Sequence, residues 1–202
     1  MNPATHGRPY ISEVEYRGLE EESDVKHEYF EGQMYAMQLP SLRHMDVAMN
    51  IFASLHEALR GTVFKARMSQ QRLKVEVDGL ITYPDVVVLC GPGTYDPDSP
   101  DTLIDAVAIV EVVSTATATY DSGWKFNSYR QLLSLRHFLL VNQDKAEVEH
   151  RFKDAASGEW SSRIFAGTTG TVDLSAIGCQ SAVSVIYEGV EFEEAADTAV
   201  KS

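Results

Sequence analysis

Apolar residues recur at helical spacing across residues 42–59, at Met45, Ala48, Met49, Phe52, Leu55 and Leu59, and Gly61 follows as a stop. This predicts the main helix of the chain. Upstream, Ser12 and Glu15 have capping-box spacing, which predicts a short acidic outer helix over 13–22. Aromatic and β-favouring residues on either side of Glu31-Gly32 predict a small hairpin over 27–37, with the glycine supplying the turn. Period-two alternation then takes over. Residues 63–77 read as one strand, Leu73, Val75 and Val77 alternating with Arg72, Lys74 and Glu76. Residues 81–89 read as the next, with Pro84 near the start, where a strand tolerates proline. The Gly-, Pro-, Asp- and Ser-rich stretch 91–102 predicts a surface loop before a third strand over 103–114. After a polar run at 115–121, a helix over 122–133 is expected to bury Trp124, Tyr129, Leu132 and Leu133. Strands at 137–141 and 146–152, joined as a hairpin, and β-style segments at 160–165 and 170–174 complete the pattern. There is no internal repeat.

The stretch Ala108-Ile-Val-Glu-Val-Val-Ser114 is apolar on both alternating faces except at Glu111. Such a run reads as a central strand covered on both sides, as in α/β proteins. An unpaired carboxylate there costs several kcal/mol, so a cation, a strong donor or an exposed strand end is expected beside it. Asp85 interrupts its own strand just ahead of Val86-Val-Val88 in the same way. Two acids on neighbouring strands repel, and a hard divalent cation such as Mg²⁺ relieves this by taking oxygen ligands from both. Equally, acids at strand ends cap loops or pair with arginine. Both readings stand at this point.

Composition narrows the class. Hydrophobic residues at 44% and charged residues at 23% of 202 are ordinary for one globular domain, expected over 1–187, with 188–202 as an acidic, flexible tail. No apolar run approaches the ~20 residues that span a bilayer, and the amino terminus lacks a secretory pattern. A cytoplasmic protein without a membrane partner is therefore expected. Cys90 and Cys179 have no metal-ligand spacing; the sequence leaves a disulfide between them open, and buried free thiols are the plainer expectation. The net charge of −13 opposes broad attraction to nucleic acid, yet it is concentrated at the ends. Residues 12–31 hold eight acids against two bases and 188–202 hold five against one, which leaves −4 on 32–187. Within that body Arg60, Lys65, Arg67, Arg72 and Lys74 form a basic stretch that suits a phosphate backbone or an ordinary solvated strand face.

Pro84-Asp85, Glu111-Val112-Val113 and a lysine on the following helix resemble the PD-(D/E)XK nuclease superfamily with its lysine displaced. More specifically, Pro84-Asp-Val-Val-Val88, Val110-Glu-Val-Val-Ser-Thr115, Tyr120-Asp-Ser-Gly-Trp-Lys-Phe-Asn-Ser-Tyr-Arg130 and Leu135-Arg-His-Phe-Leu-Leu-Val141 resemble the Uma2-like putative restriction endonuclease family of bacterial proteins. Glu28-Tyr-Phe-Glu-Gly32 and His44 also fit, so the resemblance covers residues 12–155. It implies a restriction-endonuclease-like α/β core, a mixed central sheet flanked by helices, with an added N-terminal helix and hairpin and C-terminal β-strands.

By this resemblance the chain is a Mg²⁺-dependent endonuclease acting on DNA, with Mn²⁺ as a substitute metal and Asp85 and Glu111 as ligands. Val113 stands where the superfamily usually keeps its lysine, and Lys125 is the replacement, holding the attacking water or stabilising charge on phosphate. The competing reading of Lys125 is a helical ion pair with Asp121, four residues earlier. Glu28, His44 and Tyr129 are auxiliary candidates, as a further acid, a ligand-orienting group and a hydrogen-bond donor. Each also has a plain reading, respectively a solvated turn residue, a helix-boundary histidine and a core aromatic. Ser114 and Thr117 could line the cleft or simply enter a helix. A homodimer is expected, because cutting both strands of a duplex calls for two sites. The alternative function is an inactive nuclease-fold binding or assembly module, which the acidic balance and Val113 favour. An unrelated hydrolase has no nucleophile motif, zinc spacing or phosphate-cradling glycine loop behind it.

Overall fold

In the computed structural model, residues 9–68, 71–114 and 121–192 are described. Ser12 caps α1 (Glu13–Glu21) through both bonds of the expected capping box. Tyr16, fully buried on the inner side of α1, donates its hydroxyl to the His27 carbonyl at 2.8 Å and pins the helix to β1 (His27–Phe30). β1 turns into β2 (Gln33–Ala36) through Glu31 and Gly32, both with positive φ. Glycine is required at the second position, since a Cβ there would lie 2.1 Å from the Tyr10 ring.

Among the described residues, all strands but a C-terminal pair fall into two six-stranded mixed sheets. β3 (Phe64–Met68), β6 (Val86–Cys90), β9 (Ala108–Val113), β10 (His137–Asn142), β11 (Glu147–Lys153) and β12 (Trp160–Ala166) form the central one, ordered β12-β11-β10-β9-β6-β3. β4 (Arg72–Val75), β5 (Leu80–Thr82), β7 (Tyr95–Asp96) and β8 (Ser99–Leu103) join the hairpin in the other, ordered β2-β1-β5-β4-β8-β7. Two expected strands are thereby divided between the sheets. The 63–77 segment supplies β3 to one and β4 to the other, and Val77 is 73% exposed rather than in register. The 81–89 segment is divided between β5 and β6, with Tyr83-Pro84-Asp85 carrying the chain across. Pro84 has no N–H for a ladder, so it suits the crossing better than a strand interior. The expected loop over 91–102 contains β7 and most of β8.

α2 (Leu42–Ala58) covers one face of the central sheet with Val47, Ala48, Ile51 and Leu55. Met45 and Met49, expected inside, are 40% and 55% exposed. The helix carries two apolar stripes, and the sheet chose the one containing Val47 and Ile51. The other sheet face, with Val87, Leu89, Ile109 and Val113, packs against Leu73, Val75, Leu80 and Leu103 of the second sheet and against Phe126 and Tyr129. Those aromatics lie in α3 (Phe126–Tyr129), which follows a π-helical turn, Asp121–Lys125. The expected 122–133 helix is therefore shorter, and Leu133 is 86% exposed. β13 (Thr171–Leu174) and β14 (Cys179–Ala182) form a separate hairpin, and α4 (Val183–Ile186) packs beside α2. Val190 and Phe192 pack on the same core cluster, while the rest of the acidic tail, 193–202, lies outside the described residues. Both cysteines are free, Cys179 buried and Cys90, contrary to expectation, exposed. No helix among the described residues is long and apolar enough to cross a membrane.

Candidate active site

All six residues of β9 are buried, Glu111 among them, because β6 and β10 flank the strand and both its faces are covered. The cation that answers Glu111 is Lys125, whose ammonium lies 3.5 Å from its Oε1. Tyr129 donates its hydroxyl to the same carboxylate oxygen at 2.6 Å. Lys125 and Tyr129 stand four residues apart, so the turn and the helix after it deliver both to one place. Burial first, and then the Glu111 charge, hold the Tyr129 hydroxyl well above the ordinary tyrosine range, so it remains a donor.

Glu28 completes this network from the other sheet. Its carboxylate lies 2.7 Å from the Lys125 ammonium and accepts the Thr82 hydroxyl from β5. Glu28, Glu111, Lys125 and Tyr129 are all buried. Two carboxylates thus share one ammonium away from water, an arrangement tolerable only with good geometry and hydrogen bonds to the remaining lone pairs.

Asp85 and His44 form an adjoining pair. Asp85 immediately precedes β6, and extending the Val86↔Val110 register by one residue sets it opposite Glu111. Its Oδ2 accepts the Val112 N–H at 2.7 Å, and its Oδ1 lies 2.8 Å from His44 Nε2. Ser41 caps α2 by accepting the His44 N–H, which fixes the histidine in the first helical turn. Of the expected residues, then, Glu28, Glu111, Lys125 and Tyr129 meet in one network, and Asp85 and His44 meet beside it, joined to it through the β9 backbone. Asp85 stands at a strand end, but its partners are His44 and the β9 backbone rather than a loop or an arginine. Ser114 is half-buried just beyond β9, while Thr117 and the Asp121 side chain lie outside the described residues.

Sequence reasoning missed Thr82, although a polar residue following Leu80-Ile81 is the same kind of signal that singled out Glu111. It also missed that Glu28 partners Lys125. Among the described residues, no group of three or more His, Cys, Asp or Glu side chains is disposed to hold a metal ion.

A family model described as "Uma2: Putative restriction endonuclease" matches residues 14–184. The chain belongs to the Uma2 family. The match reaches beyond the 12–155 span of the sequence resemblance and takes in the C-terminal hairpin. Two relatives are proteins of Synechocystis sp. named only as uncharacterised. One is 32% identical over 91% of this chain and 95% of its own length, the other 25% identical over 82% and 93%. A solved structure described as a putative nuclease belonging to DUF820, from Anabaena variabilis, superposes with a TM-score of 0.67. It covers 82% of this chain and 91% of its own at 12% identity, a likeness of fold. The restriction-endonuclease-like α/β core expected from the sequence is therefore the fold found.

Proposed function

We propose that this Uma2 protein is a Mg²⁺-dependent endonuclease hydrolysing DNA phosphodiester bonds. Family membership supports a nuclease-like role, and the observation that carries the finer reading is the approach of Lys125 to Glu111 at 3.5 Å. Val113, in the usual lysine position, is 3% exposed and packs in the core between the sheets, so an ammonium there would be buried among apolar side chains. Delivering the lysine from the next helical turn keeps the charge beside Glu111.

The carboxylates of Asp85 and Glu111 are hard oxygen donors, and Mg²⁺ is commonly held by one or two carboxylates together with water and substrate phosphate. These two residues are the ones that would hold the ion. When bound, a divalent cation supplies Lewis acidity toward a phosphodiester oxygen and lowers the pKa of water. Lys125 acts at the developing negative charge on phosphate or holds the attacking water. Glu28 holds that ammonium in position. Tyr129 orients Glu111, and His44 orients Asp85. A homodimer belongs to the proposal, since two sites are needed to cut both strands.

A second reading, a nuclease-fold binding or assembly module, is favoured by one observation. Lys125 lies nearer Glu28 than Glu111, so its charge is already countered. Incubating the purified protein with plasmid and single-stranded DNA at low salt, with Mg²⁺ or Mn²⁺ and beside an Asp85→Ala control, separates the two. Cleavage by the wild type and none by the control supports the nuclease. Equal cleavage by both points to a contaminant, and none by either favours the module.

A further inference from the structure

We infer that the β3 edge of the central sheet, through Lys65 and Arg67, is a contact surface for the phosphate backbone of DNA flanking the candidate active site. The inference rests on the nuclease reading and adds a substrate track to it. Among the described residues, the three other bases of the sequence's basic stretch are already matched. Arg72 pairs with Asp101, Lys74 with Glu13 and Asp96, Arg17 with the same two acids, and Arg60 with Glu57. The basic stretch apparent in the sequence is thus divided by the fold, with Arg72 and Lys74 neutralised in the second sheet. Lys65 and Arg67 lie on the other sheet, exposed, and among the described residues neither has an ion-pair partner.

Register ties these two cations to the site. Lys65 pairs with Leu89 and Arg67 with Val87, and Val87 pairs with Ile109. Directly opposed residues share a sheet face, and alternate residues of one strand do too, so Lys65 and Arg67 share the face of Ile109 and Glu111. From Arg67 to Glu111 is two strand spacings across and two residues along, roughly 10 Å by 7 Å. The face is sealed at Val87 and Leu89 and opens at Lys65 and Arg67. A groove of about 370 Å³, also lined by His56 and Arg60, lies at this edge on its α2 side. The second sheet covers the face between, so a polyanion passes from the carboxylates round the strand ends at Asp85 and Met68 and meets unmatched positive charge at this edge. Lysine and arginine also protect strand edges from pairing with other chains, and that role predicts no contribution to DNA affinity.

The test is the anisotropy of a short labelled DNA duplex titrated with full-length protein in EDTA over a range of salt concentrations. Lys65→Gln/Arg67→Gln is compared with Lys153→Gln/Arg163→Gln, the same charge change toward the opposite edge of the sheet. The edge variant is expected to bind at least about tenfold more weakly at low salt, and its slope of log affinity against log salt to fall by about two, while the control stays at wild type. The exchange Lys65→Arg/Arg67→Lys, which keeps both charges, is expected to bind as wild type. Equal binding by the edge and control variants overturns this inference and leaves the nuclease reading intact. Loss of binding in the exchange variant also overturns it, since charge would then not be the cause. A wild-type protein that binds no DNA overturns both.

Discussion

Lys125 and Glu28 form an ion pair at 2.7 Å that joins the central sheet's helical turn to the N-terminal hairpin of the other sheet. The pair makes the hairpin part of the site. Without β1, the lysine would lose its nearer carboxylate.

Replacing Lys125 with methionine keeps the side-chain volume and removes the charge. Glu28 and Glu111 would then be buried without their shared cation, which costs about 3–5 kcal/mol. Urea denaturation is expected to show this loss, with Glu28→Gln in the same protein recovering part of it. A loss under about 1 kcal/mol would mean that water already solvates the carboxylates.

Tyr129→Phe deletes one hydrogen bond to a charged acceptor and retains the ring, which packs 5.8 Å from Phe138. A stability loss of about 1.5–3 kcal/mol is expected. Cleavage should fall with it, because Glu111 loses its orienting donor. A variant as stable as wild type would contradict the burial of this contact.

His44→Ala removes the partner of Asp85 Oδ1, and both side chains are partly exposed, so the stability cost should be only about 1 kcal/mol. If His44 orients a metal ligand, the Mg²⁺ needed for half-maximal cleavage should rise about 10–100-fold. An unchanged Mg²⁺ requirement would reduce His44 to a helix-boundary residue.

His137 Nδ1 lies 3.0 Å from His150 Nε2 in the core beneath β13, and the Ala176 N–H donates to His137 Nε2. Burial lowers both imidazoles from 6.5 to about 4; the His150 charge adds to the effect on His137, while Asp173 opposes it at both. The folded values lie below the unfolded ones, so protons favour the unfolded chain. Stability from this pair is complete above pH 6.5 and falls as pH drops toward 4. Denaturation midpoints across that window should fall more steeply for wild type than for His150→Gln, and identical slopes would reject the assignment.

Much of the candidate site was legible because an acid inside a valine run is expensive, and Glu111 and Asp85 stand out for that reason. The four-residue spacing of Lys125 and Tyr129 was legible too. Glu28 gave no comparable signal, since an acid beside a turn is usually solvated and only the facing sheet buries this one. The hydrogen bond from Thr82 to Glu28 depends on the same packing.

What the sequence determined by itself is local: the Ser12 cap, the Glu31-Gly32 turn, the helical period of α2 and the alternation of the strands. Each follows from side chains a few residues apart. The tertiary structure decided which strands pair, that 63–77 and 81–89 divide between two sheets, and which stripe of α2 is buried. Backbone hydrogen bonds carry no side-chain identity, so alternation looks the same on either side of a corner. Only when the two sheets pack does Lys125 acquire both of its carboxylates.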